Sequence, residues 1–533
     1  MDVFPEQEEQ EAIYYLEKVS KNSLIKIIGF TTTIPQPNYY NFFSDQKIQD
    51  DINSRVKKYL NKLKTPIFGV GIISRESSLR IAEIILSNKT KLIDGNENCH
   101  NDDDLNLFKA FLAINKIVNH KESFIVSDDV ENIEKIAQLS IVHSFGIAEL
   151  EHFEGDNNSF IKLIMVTLKK IELLFEFFKK NIQYSYLEET LLLYFKVDNR
   201  DEFLIRLKEL FYILLDLKQK NQYLFNIEEN KELIFFVNAL VSENIESDED
   251  FTFLKNHPLY KIDEKTYSII DFNFVVDKFY KSIKFILKPS YNAYNGLHNT
   301  SIDFFSFYAK KISEEFIMKI ILNDIFDKSY FKKLDKEGDN NGEPDFYFRH
   351  NNRVFIFENK DVLFNKKIKG SGNISKIINL LKSKFLTNGK AVGIGQLVNS
   401  VVNINNKSFK FDDYVNNKNN IQIYPILLLG DRTLEIPGLN FLLNKWYINE
   451  ILNKLKGNFK PHLIRGLIVM DIDTLIFGTY FLKERENNFK NILDEHLKLL
   501  KPPSKLKALK SLDKFLMPLG FRIIERSFRN NKN

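Results

Sequence analysis

The sequence predicts an α/β chain: a mixed sheet flanked by helices in the C-terminal half, preceded by a largely helical N-terminal region with a few strands. Three observations carry this. Apolar residues at 160–180 and 187–218 recur at three- and four-residue spacing with Lys and Glu between them, as in packed amphipathic helices. At 344–360 the period falls to two on either side of the polar His350-Asn351-Asn352, so this stretch reads as a β-hairpin. Beyond it, helical and strand-like segments alternate, which suits a sheet covered by helices.

Taken in order, residues 24–32 and 66–74 are apolar and β-prone and are expected to be strands of a small mixed unit. The two long helical stretches follow. Lys288-Pro289-Ser290 and the polar run after it interrupt the helical pattern, which places a domain boundary there and gives regions 1–290 and 291–533. The second region then reads as helix (301–326), hairpin (344–360), lysine-rich loop and helix (366–386), helix (393–402), strand (421–429), helix (439–455) and strand (463–471). Pro425 inside the penultimate strand predicts an edge position or a bulge.

A length of 533 residues allows about two to four domains. Hydrophobic residues at 44%, with 48 Phe, are enough for large cores and exclude a disordered chain. The wealth of Lys and Asn matches AT-rich coding and by itself says little about function. A net charge of +4 excludes a uniformly basic coat but not local patches. Lys366, Lys367, Lys369, Lys376, Lys382, Lys384 and Lys390 form one such cluster, and residues 501–533 hold nine Lys or Arg against two acids. These are either phosphate-holding surfaces or a solvated helix face and a basic tail. Cys99 is the only cysteine, so no intramolecular disulfide is possible, and a reducing cytoplasm is expected. The acidic N-terminus lacks the pattern of a secretory signal, and no apolar run reaches membrane-spanning length, so no membrane partner is expected.

The hairpin concentrates the chemistry. Side chains on its second strand repeat every two residues, so Glu358 and Lys360 share a face while Asn359 points away. Asp345 and Glu358, helped by a carbonyl near Asn359, are the hard oxygen donors that Mg²⁺ takes beside a phosphate, and Lys360 would orient the attacking water or offset transition-state charge. Exposed Glu-x-Lys pairs are usually just solvated charges. Here, however, the apolar run before Glu358 marks a buried strand, and a buried charge is costly unless used or paired. Other constellations are weaker. Residues 94–104 are oxygen-rich without calcium-loop spacing, Asp471-Ile472-Asp473 reads as a strand-end cap rather than a metal pair, and Gly393-Ile394-Gly395 lacks a phosphate-cradling fingerprint.

Pro344-Asp345 followed at hairpin distance by Glu358-x-Lys360 resembles the PD-(D/E)xK nuclease superfamily, the fold of many restriction endonucleases and of recombination and repair nucleases. The resemblance covers only the C-terminal half. It implies a restriction-endonuclease-like αβββαβ core and a Mg²⁺ cofactor for which Mn²⁺ can substitute. It also implies a glutamate on the preceding helix; Glu315 is preferred over Glu314, although helical periodicity does not separate them. Gln396 matches the glutamine that some members carry on the following helix, while Ser400 stands where one branch has a tyrosine. The implied catalytic set is Asp345, Glu358, Lys360, Glu315 and Gln396, with Asp345, Glu358, Asn359 and Glu315 as metal ligands. The expected activity is endonucleolytic hydrolysis of nucleic acid, double-stranded DNA before RNA, in restriction or phage defence. The N-terminal region would select the target, sense a trigger or form a homodimer interface, and a partner protein is a further expected requirement for activity. Two rivals stay open: a catalytically silent nucleic-acid clamp, and a regulatory protein acting through its helical half.

Overall fold

The computed structural model describes residues 3–33, 42–63, 72–96, 102–122, 133–151, 157–228, 230–242, 245–248, 250–298, 302–326, 332–335, 342–387, 390–434, 436–484 and 488–500. The fold is mixed α/β and mostly helical. Two compact units make up the chain: Met1–Phe124, Leu150–Thr167 and Gln183–Ser290 in one, Ile125–Glu149, Leu168–Ile182 and Tyr291–Asn533 in the other. The second unit thus draws two segments from the region before residue 290. No helix of the described residues is long and apolar enough to cross a membrane.

In the first unit the expected strand at 24–32 is a helix, Lys21–Thr33, because Leu24, Ile27 and Ile28 bury one face at three- and four-residue spacing. The expected strand at 66–74 falls partly outside the described residues. Its end, residues 72–74, leads into the helix Arg75–Ser87, which Ser74 and Ser77 cap reciprocally. The strands are elsewhere: β1 (Leu224–Asn226), β2 (Leu259–Lys261) and β3 (Thr266–Ile269) form an antiparallel sheet in the order β1-β3-β2. Residues 187–218 hold two helices rather than one, Ser185–Phe195 and Arg200–Gln219. Lys196 adopts a left-handed φ of 54°, and Asn199 caps the restart by accepting from the Glu202 N–H. The expected break at 288–290 is no break in the backbone, since the helix Ile283–Leu297 runs through with Pro289 inside it.

The second unit is built on a five-stranded sheet in the order β4 (Lys332–Asp335), β5 (Phe346–His350), β6 (Arg353–Lys360), β7 (Gln422–Leu429), β8 (Ile468–Asp471). The first three strands are antiparallel neighbours, and β6, β7 and β8 run parallel. Asn351 turns the β5–β6 hairpin with a φ of 54°, a conformation that Asn tolerates. One face carries Tyr347, Val354, Ile356, Leu427, Leu429 and Val469 into a core with the helices Ile374–Phe385, Ile394–Asn405 and Leu439–Leu455. The other is aromatic: Phe348, Phe355 and Tyr424 stack across three strands, with centroids 4.5 and 4.9 Å apart, and Phe326 and Phe489 cover them. A buried triad fixes β5, since Asp412 accepts from Tyr347 Oη at 2.6 Å and from Arg349 Nε at 2.7 Å.

Pro425 does not mark an edge, because β7 lies between β6 and β8. By strand alternation its missing N–H faces β8, between the bridge Ile423–Ile464 and the first β8 pair, Ile426–Ile468. The ladder is interrupted there in any case, so no hydrogen bond is lost. This also makes the final strand shorter than the expected 463–471. On the far side of β8, Asn440 and Asn444 take up the free backbone groups: Leu467 N–H donates to Asn444, Val469 N–H to Asn440, and Asn440 Nδ2 donates to the Leu467 carbonyl.

Asp471 and Asp473, at the end of β8, are buried and serve the fold. Asp471 caps the start of the helix Ile472–Glu484 by accepting from the Thr474 N–H at 2.5 Å, and Asp473 forms a buried ion pair with Lys170. This is the capping role expected for Asp471, to which the structure adds a long-range pair invisible in local sequence.

Candidate active site

Register places the two carboxylates of the hairpin together. Phe346 pairs with Phe357, so Asp345, one residue before β5 begins, stands opposite Glu358 on the same face. With no β5 backbone to meet it at this level, the Asn359 N–H donates to Asp345 Oδ2 at 2.8 Å. Lys360, on the face of Glu358, donates from Nζ to Glu358 Oε1 at 2.8 Å. Asp345 is 5% exposed and Glu358 2%, while the Lys360 side chain keeps 19%. The site is therefore a buried pair of acids with a lysine at its mouth.

Burial, then the charge of Asp345, pushes the Glu358 carboxyl up to about 8, against the opposing pull of Lys360. Burial alone would push the Lys360 ammonium down; Glu358, Asp345 and Glu314 together hold it above the usual lysine value. Lys360 is thus a cation at neutral pH. It donates hydrogen bonds and offsets negative charge, and does not act as a base in this state.

Because Glu358 holds its proton in the native state well above its ordinary value of 4.5, stability should fall as pH rises from about 4.5 to about 8. Thermal melts in EDTA should show wild type losing ground to Glu358→Gln across that window, with the difference level above it. Parallel pH profiles for the two proteins would contradict this electrostatic account.

Both glutamates of the preceding helix lie on an unusual element, a π-helical stretch Tyr308–Met318, between the helices Phe304–Phe307 and Lys319–Ile325. Its buried residues, Tyr308, Ile312, Ser313, Ile317 and Met318, recur at four and five. Glu315 pairs with Lys311 at 2.6 Å on the surface. Glu314 is the one whose charge is felt by both Glu358 and Lys360. Of the two, Glu314 is thus the one electrostatically coupled to the hairpin acids and lysine, while the preferred Glu315 is engaged with Lys311.

Gln396 is used locally: its Oε1 accepts from the Gly393 N–H at 2.9 Å and closes the start of the helix Ile394–Asn405. Sequence reasoning missed Gly393 itself. Its φ is +49°, and a Cβ there would lie 2.9 Å from the Phe385 carbonyl and 3.4 Å from Lys360 Cε. The glycine leaves room for the Lys360 stem against the helix start. The signal was present in Gly393-Ile394-Gly395, read only for phosphate cradling.

Among the described residues, no three His, Cys, Asp or Glu side chains group closely enough to hold a metal ion. Asp345, Glu358 and the Asn359 carbonyl nevertheless suit a hard divalent cation that retains several waters. The charge chemistry fits as well: burial and then the charge of Asp345 drive up the Glu358 carboxyl, and a cation would offset both. Lys366, Lys367, Lys376, Lys382 and Lys390 are exposed on the segments that follow β6. The basic tail 501–533 and Cys99 lie outside the described residues.

No protein-family model, no curated protein and no solved structure matches this chain. The functional reading therefore rests on the geometry of Asp345, Glu358 and Lys360.

Proposed function

We propose that the chain is a metal-dependent nuclease of the PD-(D/E)xK type, cutting phosphodiester bonds of nucleic acid, DNA in the first instance. One observation carries the reading: Asp345 and Glu358 face each other across a hairpin, with Lys360 on the same face. The order of elements supports it, with a helical segment, three antiparallel strands, four helices and a parallel strand in sequence.

Asp345, Glu358 and the Asn359 carbonyl would hold Mg²⁺, or Mn²⁺ in its place. Such an ion supplies Lewis acidity toward a phosphate oxygen and a more acidic water. Lys360 positions the attacking water and offsets charge developing on phosphorus, a role its ammonium can fill at neutral pH. Attack in line displaces the 3′ oxygen and leaves a 5′ phosphate. Asn359, by donating to Asp345, keeps that carboxylate turned toward Glu358. The exposed lysines after β6 would contact the backbone without reading sequence.

The test is cleavage of supercoiled plasmid, linear DNA and single-stranded RNA by wild type and Lys360→Ala, with Mg²⁺, Mn²⁺ or EDTA. Cleavage by wild type alone, abolished by EDTA, is expected. Metal-dependent cleavage at an unchanged rate by Lys360→Ala would overturn the site assignment, and metal-independent binding without any cleavage would favour a silent clamp.

A further inference from the structure

In the first unit, a pocket of about 700 Å³ has Thr190, Leu193, Tyr194, His257, Lys278 and Phe285 in its wall. That size is ordinary for a small-molecule site. Lys278 is the feature that needs explaining. It is 2% exposed, and among the described residues no carboxylate pairs with it. Its ammonium lies 5.0 Å from the centroid of the Tyr194 ring, a contact that offsets only part of the cost of burying a cation. No Asp or Glu lines the pocket.

The other polar groups of the wall add no charge at neutral pH. Burial, then the charge of Lys278, pushes the His257 imidazole down to about 4, so it is neutral, and its Nδ1 makes no hydrogen bond. Burial pushes the Tyr194 phenol up, and its hydroxyl donates to the Ala239 carbonyl at 3.3 Å. Burial also pushes Lys278 down to about 8, which leaves it mostly charged at pH 7. The pocket thus presents one cation, an orphan imidazole nitrogen, the neutral polar groups of Thr190, Asn256 and Ser290, and aromatic and aliphatic surface from Leu193, Phe253, Phe285 and Ile286.

We propose that this pocket binds a small monoanion with a flat apolar body, its negative group paired with Lys278 and its body packed against Tyr194 and the neighbouring phenylalanines. A single buried lysine beside a neutral histidine compensates one charge, so a carboxylate or sulfonate fits and a polyphosphate does not. Pairing the ligand with Lys278 removes the cost of its isolation, and that difference is what would select an anion over its neutral counterpart. This inference is independent of the nuclease reading.

Two fluorescent probes with the same rings test it on the full chain: 1-anilinonaphthalene-8-sulfonate and uncharged N-phenyl-1-naphthylamine. Wild type should bind one equivalent of the sulfonate at least about tenfold more tightly than the neutral probe, an advantage of about 1.4 kcal/mol. Lys278→Met should abolish that preference without weakening the neutral probe, and Lys278→Arg should retain it. Equal affinities for wild type, sulfonate binding unchanged in Lys278→Met, or several equivalents bound regardless of residue 278 would overturn the proposal. Should Lys278→Met fail to fold by circular dichroism, wild type at pH 7 and pH 10 gives the same answer. Lys278 loses its charge across that range while His257 stays neutral and Tyr194 stays largely protonated, so the preference should fall by at least about tenfold. A preference that persists at pH 10 would sink the idea.

Discussion

Asp345→Ala is expected to lower metal-dependent cleavage by about 10³-fold or more, since losing a ligand to the ion forfeits several kcal/mol of transition-state stabilisation. The fold should survive with little change in melting temperature, because two effects oppose each other. Removing the carboxylate leaves the buried Asn359 N–H without its acceptor, at a cost of about 1–3 kcal/mol. It also removes the charge that drives up the Glu358 carboxyl, which stabilises the native state. Plasmid cleavage and thermal melts on the same preparation check both parts, and cleavage within tenfold of wild type would refute Asp345 as a ligand. In the same assay Glu314→Gln should cost about 10–100-fold, as for a group acting beside the ligands. Glu315→Gln should leave the rate near wild type because its carboxylate is engaged with Lys311. The reverse ranking would restore Glu315 to the site.

The second large effect is on stability. Lys170→Met leaves Asp473 buried without its cation and should cost about 3–5 kcal/mol in urea denaturation. Burial, followed in size by the opposing pull of Lys170 and the push of Asp471, sets the Asp473 carboxyl above its usual value. Wild-type Asp473 already sits above its usual value, and losing the pull of Lys170 raises it further, so the defect relative to wild type should deepen only as pH rises above the wild-type folded value. Lys170→Met with Asp473→Leu should recover most of the loss, since an apolar pair of similar volume avoids the desolvation of both charges. A defect under about 1 kcal/mol for the single variant would show that water reaches Asp473.

The hairpin was legible because a buried strand and its polar turn leave a period of two that nothing else produces; Glu358 and Lys360 fall on one face by that period alone. The helix at 439–455 was equally plain, from its apolar stripe to its bounds. Glu314 and Glu315 could not be separated for a physical reason. The segment is wound with four- and five-residue spacing, so an α-helical wheel assigns its faces wrongly. Residues 24–32 misled because β-branched residues crowd a short apolar run, and only the burial of Leu24, Ile27 and Ile28 against the rest of the unit makes it a helix. Strands of three or four residues, such as β1 and β2, are too short for any period to show. The Lys170–Asp473 pair joins residues far apart in sequence, and no local pattern announces it.

The carboxamides of Asn440 and Asn444 have a further consequence. The outer edge of β8 would otherwise be a template on which a foreign strand could zip, whether from a second copy or from a nascent chain. Any such visitor must first break the three bonds that hold Leu467 and Val469 to the adjoining helix. Sheet extension on that flank is therefore uphill, and copies of this chain that associate must meet through other surfaces than the rim of β8.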